Sequence, residues 1–344
     1  MKIFSEAMIK YMTSIKDIAR LAGVSPSTVS RVLNEREYVR DEVRQRVLSI
    51  VKEKGYVQNN VARSMVLKRS FTIGVVIPHL FNMFQRQLFA SMEFFLEQCG
   101  YKTQFFFIRW SEASEQAFLR RLKSETLDGI IFIHELDSPA VYQHIQERGL
   151  PVALCTFEKE QFDFPAVHIE EEASAALAIE YLIQKGHSNI GLITGGHFSF
   201  GKQREEGYRQ ALKAHGIPCN PELIVRVPSY NPEAGRSGMM TLLNRRSPMT
   251  AVFAATDELA IGAIKSLYDS GLRVPEDISV IGLDDIDISA FTTPGLTTVH
   301  QPIFEMGKKS ADLVCDWIAR GSMQGKVELF STTIVERESV RALA

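Results

Sequence analysis

The chain has 344 residues, 45% of them apolar and 23% charged, with 39 Lys/Arg against 41 Asp/Glu for a formal net charge of -2. That is the balance of a soluble globular protein long enough for two or three domains. No apolar run approaches the ~20 residues of a membrane span, and the first twelve residues, interrupted by Glu6, lack the apolar core of a signal peptide. Cys99, Cys155, Cys219 and Cys315 lie far apart and form no CxxC pair, which argues against a zinc site and fits reduced thiols in a cytosolic protein.

The charge is unevenly shared. Residues 1–70 carry 14 Lys/Arg against 7 Asp/Glu, a net of +7, and the remainder carries 25 against 34, a net of -9. A basic head on an acidic body is the balance of a nucleic-acid module joined to a body that phosphate repels.

In chain order, Ser14 caps a first helix from Ile15, and Asp17 completes a capping-box-like pair. Ile15, Ile18, Ala19 and Ala22 form its apolar face, and Gly23 ends it. Ser25 caps a second helix that opens on Pro26, where no N–H is needed. Val29, Val32 and Leu33 face the first helix, which leaves Ser27, Thr28, Ser30, Arg31 and Asn34 pointing outward. A third helix over about Asp41–Lys54 places Val43, Val47, Ile50 and Val51 on one face. Two short helices at a tight turn, the second with small polar residues and one Arg outward, predict a helix-turn-helix with its second helix in the major groove. A plain helical hairpin fits the apolar pattern too; the small outward residues favour groove contact over a solvated Lys/Glu face.

From Phe71 the pattern changes to short apolar runs alternating with amphipathic ones. Strands are predicted at TIGVVIP (Thr72), YKTQFFFI (Tyr101), GIIFI (Gly129), PVALC (Pro151), NIGLIT (Asn189), AVFAA (Ala251) and ISVIGL (Ile278). Helical patterns lie between them, several stopped by a Gly such as Gly100 or Gly149. Repeated strand–helix units predict α/β lobes with doubly wound parallel sheets, and the stretch is longer than one such sheet uses, so two lobes are expected. Ligands of such sheets sit at the carboxyl ends of the strands, so facing lobes would share one cleft.

GHFSFGKQ (Gly196–Gln203) has the GxxxxGK spacing of a phosphate-binding loop, but Gln203 stands where a magnesium-binding hydroxyl is required. No HExxH or GxSxG occurs, and adjacent Asp284 and Asp285 on a strand end point opposite ways. No catalytic residue, metal site or cofactor is therefore assigned.

IKDIARLAGVSPSTVSRVLN, then GYVQNNVARSM, resembles the head of the lactose/galactose repressor family of bacterial transcription regulators, and the resemblance continues through most of the chain. It implies a cytoplasmic homodimeric repressor that binds operator DNA under control of a small-molecule effector, a sugar or derivative. It implies base contacts from Pro26, Ser27 and Arg31, phosphate contacts from Thr28, Ser30 and Asn34, and Ser25 as a further DNA-binding residue. It also implies a hinge over 59–66 with Asn59, Ala62 and a wedging Met65; Gln58 stands where the family often has Pro. The implied division is a head at 13–58, hinge and linker at 59–70, and an effector core at 71–340. Within that core, lobe one is about 71–168 with 301–325 and lobe two 169–300 with 326–340, a body similar to periplasmic sugar-binding proteins.

TDELAIGAIKSLYDSGLRVPEDISVIGLDDI (Thr256–Ile286) and PGLTTVHQP (Pro294–Pro302) carry the resemblance in the body. It implies an effector site of Phe84, His134, Thr156, Phe200, Arg204, Thr256, Asp257 and Asp284. Phe84 and Phe200 fit core packing equally well. Thr156 and Thr256 stand where the family usually has Asp and Asn, so the cleft lacks two polar groups that sugar-binding members use.

Overall fold

The computed structural model describes residues 14–33, 39–56, 69–78, 82–195, 199–322 and 325–343. The chain divides into two compact units, Met1–Ser70 and Phe71–Ala344.

The first unit packs α1 (Ile15–Ala22), α2 (Pro26–Leu33) and α3 (Asp41–Lys54) around Ile18, Ala19, Ala22, Val29, Val32 and Val47. The caps do what their residues predict. Ser14 Oγ accepts from the Asp17 N–H at 3.3 Å while Asp17 Oδ2 accepts from the Ser14 N–H at 3.0 Å. Gly23 takes φ 64°, which a Cβ would strain, and so allows the sharp turn into α2. Ser25 Oγ accepts from the Thr28 N–H at 3.2 Å at the start of α2.

The second unit holds two six-stranded sheets. The first contains β1 (Thr72–Pro78), β2 (Lys102–Ile108), β3 (Gly129–Phe132), β4 (Val152–Cys155), β5 (Ala166–Ile169) and β11 (Val327–Phe330), ordered β11-β5-β4-β3-β1-β2 and parallel throughout. The second contains β6 (Ile190–Gly195), β7 (Ile224–Val227), β8 (Ala251–Ala254), β9 (Ser279–Asp284), β10 (Thr297–His300) and β12 (Thr333–Val335), ordered β12-β10-β9-β8-β6-β7. Only β12 runs antiparallel to its neighbour.

Four helices flank the first sheet: α4 (Met83–Gln98), α5 (Glu112–Ser124), α6 (Pro139–Arg148) and α11 (Ile303–Arg320). Four flank the second: α7 (Glu171–Gln184), α8 (Ser199–Ala214), α9 (Pro232–Arg245) and α10 (Asp257–Asp269). One buried cluster runs through both lobes, from Ile73, Leu88 and Met306 to Ile179, Tyr208 and Ile281. The central strands are buried on both faces, which is why they read as continuous apolar runs.

The chain passes between lobes three times: after Ile169, after His300 and after Phe330. The third crossing corrects the expected boundary at 325/326. β11 pairs with β5 in the first sheet, Val327 opposite Ala166 through Phe330 opposite Ile169, so only the chain from β12 onward joins lobe two. β5, β7, β10, β11 and β12 were not predicted as strands. Each is four residues or fewer, and the burial of β11 and β12 is partial.

Candidate functional site

In the head, Ser25, Pro26, Ser27 and Arg31 are exposed, and Thr28 and Ser30 are half-buried beside them. Ser25 Oγ lies 2.7 Å from Ser27 Oγ and 2.9 Å from Thr28 Oγ1, a linked set of hydroxyls at the start of α2. Arg31 makes no ion pair among the described residues. A short helix presenting hydroxyls and one open guanidinium can meet phosphate oxygens and a guanine edge together. Asn34, Asn59, Ala62 and Met65 lie outside the described residues.

In the body, a cavity of about 440 Å³ opens between the lobes. Its lining comes from the carboxyl ends of strands of both sheets, where open α/β sheets hold ligands. Lobe one supplies Phe84 and Gln85 from α4, Trp110 after β2, His134 and Glu135 after β3, and Thr156 and Phe157 after β4. Lobe two supplies Phe200 and Arg204 from α8, Tyr230 after β7, Thr256 and Glu258 after β8, and Asp284 at the end of β9. Gln301 lies at the second crossing. Of the eight predicted effector residues, seven line this cavity.

Arg204 is the charged centre. Its side chain is 4% exposed. Nε donates to Glu171 Oε2 at 2.6 Å, and Nη1 donates to the Ala255 carbonyl and lies 3.5 Å from Asp284 Oδ1. The guanidinium also stands 5.0 Å from the centre of the Phe200 ring, a cation–π contact. Asp284 Oδ1 accepts from Gln301 Nε2 at 2.7 Å. Burial holds the Asp284 carboxyl well above the usual carboxylate range, Arg204 opposes this, and the carboxylates of Asp257, Glu171 and Glu258 add to it. Glu205, next to Arg204 in sequence, binds Arg209 and Arg226.

His134 is buried, its Nε2 has no hydrogen-bond partner, and its ring meets Trp110 edge-on at 4.9 Å between centres. Burial pushes its pKa down to about 4, opposed by Glu135, so the ring is neutral near pH 7. Glu258 is 9% exposed, and its Oε2 likewise has no partner. Burial raises its pKa, and a hydrogen bond from the Met83 N–H, at the start of α4 in the other lobe, lowers it. A second polar contact crosses the cleft where Ser199 Oγ donates to Glu135 Oε2 at 2.9 Å.

Two backbone positions at the cleft are strained. Thr156 has φ 75° and Asp284 φ 140°, regions that a residue with a Cβ rarely adopts. Such positions cost about 1–3 kcal/mol each and cluster at functional sites.

Asp257 corrects the expected set. It is fully buried off the cavity, with Oδ2 accepting from the Ile286 N–H at 3.0 Å and Ser289 Oγ at 2.6 Å, and Oδ1 from Thr298 Oγ1. Its carboxylate thus ties the start of α10 to the loop after Asp284. The step from Thr256 to Asp257 enters a helix, so consecutive side chains diverge and only Thr256 faces the cleft. Asp285 points away from Asp284, as alternation predicts, toward His300 Nδ1 at 2.9 Å and Arg337 Nη2 at 2.6 Å.

Sequence reasoning missed Glu171, Glu258, Trp110 and Tyr230. A buried Arg requires a counter-charge, but three consecutive acids, Glu170 to Glu172, offered no way to choose among them. Glu258 follows Asp257 directly, and adjacency alone does not say which of the two carboxylates faces the cleft.

A model of bacterial regulatory proteins of the lacI family matches residues 14–59, and one of a periplasmic binding protein-like domain matches 179–340. The chain is 33% identical over 338 residues to a Bacillus subtilis protein named "Probable HTH-type transcriptional repressor ExuR", covering 96% of this chain and 99% of that one. It is 33% identical over 332 residues to the ribose operon repressor of Escherichia coli K12, covering 95% and 100%. In structure it is similar to the lac repressor dimer bound to operator and the anti-inducer ONPF, with a TM-score of 0.85 at 27% identity over 96% of this chain and 100% of that one. Helical head and two-lobed body together define the class of DNA-binding transcription regulators with a periplasmic-binding-protein-like core. The chain belongs to the lacI family of bacterial regulatory proteins.

Proposed function

We propose that the protein is a cytoplasmic, homodimeric repressor whose operator affinity is set by a small carbohydrate-like effector held between the lobes. The observation that carries this reading is the pairing, in one chain, of an open Ser25–Ser27–Thr28–Arg31 face on a net +7 head with a lined cavity in the body. One short helix contacts too few base pairs for specificity, so two heads on a pseudo-palindromic site are required. Phe84, His134, Thr156, Phe200, Arg204, Thr256 and Asp284 are the effector contacts of this reading. An effector that binds one lobe angle better than another shifts the populations of the two, and the coupling is allosteric in the strict sense of two sites and two global states.

This reading assigns no catalytic step. Ser199 to Gln203 of the GxxxxGK stretch lie within α8 and Lys202 is exposed, which supports a ligand-facing helix over a phosphate-binding loop. The test is selection from a pool of randomised duplexes by the full chain. Enrichment of a motif with two related half-sites is expected; recovery of no motif would overturn the reading.

A further inference from the structure

We infer that the cleft admits an uncharged, hydroxyl-rich ligand and refuses anionic sugars, with Glu258 of lobe two and His134 of lobe one as the polar groups that recognise it. This rests on the reading of the cleft as the effector site and goes on to name the ligand's charge. Three observations carry it.

The first is charge matching. Arg204 is the one cation lining the cavity among the described residues. Its charge is already met by Glu171 at 2.6 Å and Asp284 at 3.5 Å. Glu135, another lining acid, holds Lys159 at 2.8 Å, so that cation is matched too. A carboxylate or phosphate entering here would lose its water and gain no free counter-charge, while facing Glu258 and Asp137.

The second is the pair of unused polar atoms. His134 Nε2 and Glu258 Oε2 are buried, belong to opposite lobes, line the same cavity and have no partner in the protein. Buried polar atoms are almost always satisfied, so two orphans at one ligand-sized cavity mark where the ligand's own groups go. A carboxylate oxygen accepts only, which calls for a hydroxyl or amide hydrogen from the ligand and repels an anionic oxygen. A neutral imidazole complements a hydroxyl without adding a charge for an anion to pair with.

The third is the wall. Phe84, Trp110, Phe157, Phe200 and Tyr230 give the cavity flat apolar surfaces suited to the C–H faces of an uncharged ring. Together the groups would bridge the lobes through the ligand, one recognition atom on each side.

The experiment measures melting of the full chain without DNA, so it does not depend on operator control. That control fails separately, if a bound sugar leaves operator affinity unchanged. Matched pairs are used: galactose with galacturonate, glucose with glucose 6-phosphate, ribose with ribose 5-phosphate. In the wild type no anionic member raises the melting temperature more than its uncharged parent; one that does overturns the inference. Glu171→Gln, which removes the nearer of the two carboxylates that match Arg204, is expected to gain saturable stabilisation by galacturonate or glucose 6-phosphate. If it gains none, charge matching is not what excludes anions and the inference falls. Glu258→Gln keeps an acceptor for the Met83 N–H and removes a buried carboxylate with one unpartnered oxygen, so the ligand-free chain should melt several degrees higher; a lower melting temperature would make Glu258 a structural residue and remove it from the site.

Discussion

Arg31 in the head and Arg204 in the body are the same residue put to opposite uses. Arg31 is exposed, on a helix face of small hydroxyl residues, with no ion pair among the described residues. Arg204 is buried, doubly matched by carboxylates and stacked on Phe200. An open guanidinium keeps its fork of donors for a partner outside the chain. A matched one spends them on its own fold. The difference teaches that a lone Arg in a motif says little until its carboxylates are located.

The largest expected effect separates the two by salt. The net +7 head displaces counterions on binding, so a dimer making six to ten phosphate contacts should lose roughly 10³–10⁵ in operator affinity between 50 and 200 mM salt. Binding of an uncharged sugar to the body should move less than about twofold over the same range. Filter binding and calorimetry across the salt series check both; a salt-insensitive operator affinity would remove the electrostatic head from the account.

The next effect attacks the matched arginine. Arg204→Met leaves Glu171 facing a buried, uncompensated site and should destabilise the body by about 3–5 kcal/mol, read by denaturant unfolding. A loss under 1 kcal/mol would mean that water satisfies Glu171 and the pair is not a buried one.

His134 sharpens the comparison through pH. Its folded pKa of about 4 lies below the ordinary value of 6.5, so between those values the unfolded chain binds more protons. Its contribution is complete above pH 6.5 and is lost as pH falls toward 4, in all on the order of 3 kcal/mol. Asp257, raised by burial to about 6, acts in the opposite sense, losing stability as pH rises from about 4 to 6. The clean readout is therefore His134→Gln minus wild type across pH 4–7. The variant should lose less stability on acidification, and identical profiles would show that His134 titrates as if exposed.

The smallest effect lies in the head. Ser14→Ala removes the oxygen that accepts from the Asp17 N–H and should cost about 1 kcal/mol. Thermal unfolding of the full chain should show it in the head's transition with the body's unchanged.

The head was legible because its signals are local. A cap, a stopping Gly and a capped Pro act within four residues, and Ser14, Gly23 and Ser25 stand where the sequence placed them. The strands that were read are buried on both faces and announce themselves as apolar runs; β11 and β12 are short and half-exposed and do not. The cleft was half legible. The resemblance reached Arg204 and Asp284, but Glu171 meets Arg204 through the packing of α7 on α8, and Gln301 meets Asp284 through the pairing of β10 with β9, long-range facts with no local signal. Asp257 was misassigned because a motif gives adjacency along the chain, while the turn into α10 decides which neighbour faces the cavity.

The most direct test of the central claim, that α2 recognises sequence through an open Arg31, is the ratio of operator to random-duplex affinity for Arg31→Ala beside wild type. A bidentate contact to a base edge is worth about 1–3 kcal/mol of discrimination, so the ratio should fall by roughly 5- to 150-fold, with the lost preference confined to one base position per half-site. An unchanged ratio, with affinity for both duplexes lowered alike, would show that Arg31 touches phosphate only and would contradict the account.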